Sequence, residues 1–150
     1  MKTQPKRKVS AVSLPMQRHL SLGHSGRYFD LRLIFQKVNS KHFGNRLRGY
    51  KIVWGRQRRL RPIRYFVYGT IQEEDRIIRI HPLLDAAFVP EWFLEYVIFH
   101  EMLHAVVPDE KHASGRRKVH TEAFKTKEKR YRNYWRAQRW ESKNLARFLR

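Results

Sequence analysis

The sequence predicts an α+β domain: a small three-stranded antiparallel sheet, a central helix bearing an HExxH pattern, a packing helix before the sheet and a further helix after the central one. Three observations predict it. Residues 90–108, PEWFLEYVIFHEMLHAVVP, are too apolar for a helix lying in water, yet they set His100, Glu101 and His104 in their midst. Runs at 50–54, 63–71 and 76–80 are rich in Ile, Val, Tyr and Phe, which suit a pleated, half-buried surface. Apolar residues at helical spacing occur at 28–43 and again from residue 119.

With 150 residues the chain suits one domain, long enough to bury roughly two-thirds of its unfolded surface. It contains no cysteine, which excludes disulfides, thiolate zinc ribbons and a cysteine nucleophile, and leaves histidine and carboxylate as the strong metal ligands. No apolar run reaches the length of a membrane span, and the N-terminus lacks the apolar core of a secretory signal. The expectation is a soluble cytoplasmic protein, with nucleoid-associated and nuclear locations also compatible. The formal charge of +20 is unevenly spread. Residues 1–29 hold six Lys or Arg and no acid, and residues 111–150 hold fourteen against three Glu, whereas residues 83–110 hold six acids and no Lys or Arg. Basic flanks around a central acidic segment favour a polyanionic partner such as nucleic acid.

In order along the chain, residues 1–27 contain Pro5, Pro15, Gly23 and Gly26 without a sustained period and read as a basic flexible arm, with Lys6, Arg7 and Lys8 as phosphate contacts. The prolines interrupt the amphipathic helix that a transit peptide would form. Leu31, Ile34, Phe35, Val38 and Phe43 mark one face of a packing helix that Gly44 closes. His24 and His42 fall outside any metal spacing. The acidic cluster at 72–75 makes a hairpin turn between the second and third β-type runs. The run at 76–80, if it lies at the sheet edge, offers a substrate chain an extended strand to pair with. Pro90 suits the start of the central helix and Pro108 its end. His112, Gly115, Arg116, Arg117 and Lys118 form a loop bordering the site, and its cations are further candidate nucleic-acid contacts. From residue 119 a helix carries His120 in its first turn, then Phe124 and Tyr131. The last segment, 136–150, is basic and aromatic, a helix or tail whose Trp140 and Phe148 suit core packing better than base stacking.

His100 and His104 project from one helical face a turn apart, as two nitrogen ligands of one Zn²⁺ require. Glu101 lies to one side of the pair, where a carboxylate serves water rather than the metal. Short patterns recur by chance, but burying two imidazoles and a carboxylate among Phe93, Leu94, Val97, Ile98 and Met102 is costly unless a metal compensates. A catalytic zinc site takes a third protein ligand and keeps a fourth position open for water. Val107 and Glu110 stand where an HExxHxxGxxH pattern demands Gly and His, which leaves His112, His120, Glu122 and Glu128 as candidates. His120 is preferred, because it begins a helix that can lie beside the first, with Phe124 one turn on to pack the two together. Glu101 is the expected general base and acid. Tyr131 and the loop arginines are candidates to stabilise an oxyanion.

Residues 53–55, Tyr68 with Gly69, 77–80 with His81, Pro82, Leu83 and Asp85, then Val89, Pro90, HEMLH at 100–104, Pro108, and His120 with Phe124 together resemble the SprT-like zinc metallopeptidases. This family includes Spartan, which cleaves proteins crosslinked to DNA. The resemblance spans about residues 28–135. It implies a zincin-like metallopeptidase domain holding one catalytic Zn²⁺ on His100, His104 and His120, with Glu101 as its catalytic carboxylate, acting on protein or peptide substrates. The family's HGxxF around the third ligand reads HTEAF here, and the cysteine zinc ribbon of several relatives is missing. The competing class is a zinc-stabilised nucleic-acid-binding or adaptor protein without turnover.

Overall fold

A computed structural model describes residues 23–56 and 65–149, and the architecture within them is α+β with four helices and a small mixed sheet. Helix α1 (Leu31–Phe43) starts at Asp30, whose carboxylate accepts from the backbone N–H of Arg32 and Leu33, and stops at Gly44 in the left-handed region at φ 55°. Buried Asn39 ties the next loop back, donating to the Leu47 carbonyl at 3.0 Å and accepting from the Leu47 N–H at 3.3 Å. Lys6, Arg7, Lys8 and most of the segment read as an arm lie outside the described residues. Residues 23–27, its last five, are held to the body. The Gly23 carbonyl accepts from Trp54 N–H, and the Asp85 carboxylate gathers the N–H groups of Arg27, Tyr28 and Phe29. A Cβ on Gly26 would fall 2.4 Å from Asp85 Oδ2, so glycine is required there by close approach.

Strands β1 (Lys51–Trp54), β2 (Gly69–Gln72) and β3 (Ile77–Ile80) form one sheet in the order β1-β3-β2. β2 and β3 pair antiparallel through the turn after Gln72, as the acidic cluster suggests, but β1 runs parallel to β3, with Lys51 opposite Ile77 and Trp54 opposite Ile80. The sheet is therefore mixed rather than antiparallel. Parallel pairing needs a crossover, and a run of β-formers carries no mark of which neighbour it will choose. β3 is consequently central and cannot take a substrate strand; the edge nearest the central helix is β2. Among the described residues the second run forms a strand from Gly69 onward, and residues 63 and 64, where it was expected to begin, lie outside the described residues. Ile78 and Ile80 are fully buried, while Arg79 turns outward to Gln72 at 3.1 Å.

Helix α2 (Glu91–Val106) follows a single 3₁₀ turn (Pro82–Leu84) and runs through the core, with Phe93, Leu94, Ile98 and Met102 fully buried. The loop after it is a small hairpin of two-residue strands, β4 (Glu110–Lys111) against β5 (Arg117–Lys118), whose turn contains Gly115 at φ 79°. Helix α3 (Glu122–Lys129) is capped by Thr121, whose hydroxyl accepts from Phe124 N–H at 3.1 Å. His120 thus precedes the cap and is not in the helix's first turn. The cap also gives a reason for the threonine: its hydroxyl satisfies a buried N–H that a glycine at 121 would leave without a side-chain partner. Helix α4 (Tyr134–Phe148) begins before residue 136 and is part of the domain's packing. Trp140 lies 4.2 Å from Phe93 between ring centroids, and buried Phe148 meets Phe66, Tyr68 and Phe88. No helix among the described residues is long and apolar enough to cross a membrane.

Candidate metal centre

The helical repeat of α2 brings His100 and His104 to one face with ring centroids 5.0 Å apart, and the loop entering α3 lays His120 against both, at 5.1 and 4.9 Å. One ring nitrogen from each of the three lies within 4.8 Å of the others, a grouping that could hold a metal ion. Phe124, fully buried one turn into α3, touches all three rings and is stacked 4.4 Å from His104. It is the apolar floor on which the imidazoles rest. Of the other candidates for the third ligand, His112 sits in the β4–β5 turn, where its N–H bonds the Arg116 carbonyl, and Glu122 is exposed and faces Lys118 and Lys125.

Glu128, weighed from the sequence as a ligand, has a different place. Its Oε1 accepts from His100 Nδ1 at 2.6 Å and from the Tyr96 hydroxyl at 2.7 Å, and that hydroxyl in turn accepts from Gln138 Nε2 at 2.9 Å. With Nδ1 occupied as a donor, His100 presents the lone pair of Nε2, which lies 3.1 Å from Nε2 of His120. Two neutral nitrogens at that distance repel unless a proton or a cation lies between them, and Zn–N bonds of 2.0–2.1 Å in tetrahedral geometry set ligand nitrogens roughly 3.4 Å apart. The donor set fits zinc. The sequence did carry a signal for this network: Tyr96 and His100 are four apart on α2, and Phe124 and Glu128 four apart on α3. Glu128→Gln is expected to weaken zinc binding about 10- to 100-fold, the range for losing a partner that orients a ligand. Competition against a chromophoric chelator measures it, and an unchanged dissociation constant would sever Glu128 from the site.

Burial, offset in part by the charge of His100, raises the Glu101 carboxyl to about 7. Burial, reinforced by the charges of His100 and His120, lowers His104 to about 4, and burial with the same charge of His100 also lowers His120. His100 goes the other way: burial opposes its cation, but the hydrogen bond to Glu128 and the nearby carboxylates outweigh it. Glu128 is held below the usual range because that bond overcomes the effect of burial. The Glu101 shift has a stability consequence. An unfolded glutamate titrates near 4.5 and the folded one near 7, so between them the folded metal-free protein holds the extra proton. Its stability falls as pH rises through that window. Glu101→Gln, which cannot ionise, is expected to stabilise the metal-free protein at pH 8 by up to about 3 kcal/mol and to change little at pH 4. Urea unfolding in chelator at both pH values checks this; no gain at pH 8 would contradict it.

Gly69 of the edge strand backs onto the same carboxylate: a Cβ there would lie 3.0 Å from both Cγ and Oε1 of Glu101. Glycine at this position lets β2 approach α2 closely enough to pin Glu101. A cavity of about 720 Å³ opens beside the three histidines and Glu101, walled by β2 with the segment before it, α3 and α4. Tyr131 does not line it. That side chain is buried against Phe99 and His42, so it is removed as an oxyanion donor. Of the loop cations, Arg117 bonds Asp109 at 2.8 Å and Lys118 lies 3.9 Å from Glu122, which leaves Arg116 as the one of the three without an acidic partner among the described residues. No family model, curated protein or solved structure compared with the chain matches it, so the likeness to the SprT-like peptidases rests on the motifs of the chain itself.

Proposed function

We propose that the protein is a zinc metalloendopeptidase with a zincin-like, SprT-like catalytic domain, hydrolysing peptide bonds in proteins associated with nucleic acid. The observation that carries this reading is the convergence of His100, His104 and His120 with a buried carboxylate, Glu101, that is not one of the grouped ligands, at the wall of an open cavity. A structural zinc site closes itself with four protein ligands, whereas three with an accessible face suit catalysis. Bound zinc supplies Lewis acidity toward water and toward a carbonyl oxygen. The chain supplies the rest. Glu101, deprotonated, takes the proton of the attacking water on a carboxylate oxygen and delivers it to the leaving amine. Glu128 holds His100 in the tautomer that ligation needs. β2, as the sheet edge nearest Glu101, offers backbone groups for an extended substrate.

The nucleic-acid part of the reading is supported by surface charge. Arg116 remains in the loop, and Arg132 just before α4 with Arg136 and Arg139 on it are exposed around Trp135, itself 63% exposed. Such a surface binds phosphate without reading sequence and raises the local concentration of proteins held on the same polymer. The test is cleavage of a DNA-bound protein and of a free unfolded protein, with and without DNA, using zinc-loaded wild type and Glu101→Gln. Turnover in wild type alone supports the peptidase; equal turnover in both removes it and favours the non-catalytic adaptor.

A further inference from the structure

The cavity beside the histidines contains a carboxylate that the proposed reaction does not use. Glu141 of α4 is half-buried in its wall and forms no ion pair among the described residues, in a chain carrying 33 Lys and Arg. Its own helix provides no cation, because the positions three and four residues away are Gln138, Asn144, Ala137 and Leu145. The hydroxyl of Tyr68, sealed from solvent, lies at the same wall within reach of that carboxylate, without the alignment of a full hydrogen bond. A half-buried carboxylate with only a hydroxyl beside it and no cation, at the wall of an open space, is costly unless something enters to complete it. Phe66, Phe93 and Tyr134 supply apolar walls between this end and the histidines. Aromatic walls leading to a carboxylate suit a long side chain with an apolar stem and a terminal cation.

We infer that this cavity is a specificity pocket that receives a lysine or arginine side chain of the substrate next to the cleaved bond, with Glu141 pairing its cation and Tyr68 bonding beside it. The inference rests on the peptidase reading and adds the chemistry of the substrate to it. Lys125 and Lys129 line the pocket from α3, but both are exposed, where water and salt screen them, whereas Glu141 is half-buried. The second cleft, on the other side of Glu101 and His104, carries Glu73, Glu74 and Asp109, with Arg117 paired to the last. Both approaches to the site are therefore acidic although the chain as a whole is basic. A basic segment is attracted into the cleft while the exterior of the enzyme repels it, which confines productive encounter to the site.

The experiment uses zinc-loaded full-length protein and a set of unstructured peptides that differ only in Lys, Arg, Gln, Leu or Glu at the two positions flanking the cleaved bond. Wild type should cleave the Lys and Arg peptides at least about tenfold faster in kcat/KM than the Leu peptide at one of those positions, since truncating one partner of a desolvated charge pair costs more than a factor of ten. Glu141→Gln should remove that ratio by lowering kcat/KM for the Lys and Arg peptides toward that of the Leu peptide. Leu cleaved as well as Lys, or a ratio that survives Glu141→Gln, overturns the pocket and leaves the peptidase standing. If no peptide is cleaved, the peptidase reading has failed, and the pocket is judged by binding of the same peptides, followed by tryptophan fluorescence. Tighter binding of Lys over Leu that Glu141→Gln abolishes then upholds it, and equal binding rejects it.

Discussion

Glu101→Gln is expected to lower kcat/KM on an unstructured peptide by about 10²- to 10⁴-fold while zinc stays bound in full. The substitution keeps the shape of a side chain that is only 7% exposed and hemmed in by Gly69, so the fold and the ligand set have no reason to move. What it removes is the ability to accept a proton. The wild-type rate should also fall on the acid side, at or below about pH 7, because the base must be ionised and a bound cation can only pull its value down from where burial places it. Glu101→Gln should lack that limb in whatever residual activity it retains. Zinc content measured on both proteins separates loss of base from loss of metal, and undiminished turnover in the variant would end the assignment.

His120→Ala should abolish stoichiometric zinc binding at neutral pH, whereas His112→Ala and Glu122→Ala should bind as wild type does. His120 joins His100 and His104 through space alone: it stands on the loop into α3, and its Nε2 is 3.1 Å from that of His100. Two histidines a turn apart on one helix leave a zinc ion half coordinated. His112 and Glu122 lie outside the cluster and have nothing to lose. Glu128→Ala should fall between these cases, weakening the site without emptying it, since it removes the acceptor of His100 Nδ1 and strands the Tyr96 hydroxyl. Zinc retained by His120→Ala and lost by any of the others would reassign the third ligand.

Local geometry made much of this readable. The spacing of His100 and His104 becomes a shared face by the helical repeat alone, and the apolar run around them demands burial, so α2 and the direction of its imidazoles are properties of the stretch itself. The same holds for the Gly44 end of α1 and for the β2–β3 turn. Cysteine's absence narrowed the metal donors before any contact was known. The errors arise where the answer lies in a partner distant in sequence. That β1 runs parallel to β3 depends on how the chain crosses the sheet, which moved the free edge from β3 to β2 and placed it beside Glu101.

Glu128 and Tyr131 show the same division on single residues. Both belong to the segment after His120, where the sequence offers Glu128 as an alternative third ligand and Tyr131 as a candidate oxyanion donor. The packing of α3 against α2 turns Glu128 toward Nδ1 of His100, on the outer side of the ring, and sends Tyr131 beneath Phe99. Sequence by itself determined which side chains have metal-binding chemistry and that two of them share a helical face, because those are matters of composition and of contacts three and four residues apart. Only the tertiary structure decided which third histidine meets them, which carboxylate orients the ring, and that α4 folds back to wall a cavity with Glu141. Those outcomes follow from which buried faces match one another across the core, a long-range packing condition that no local pattern encodes.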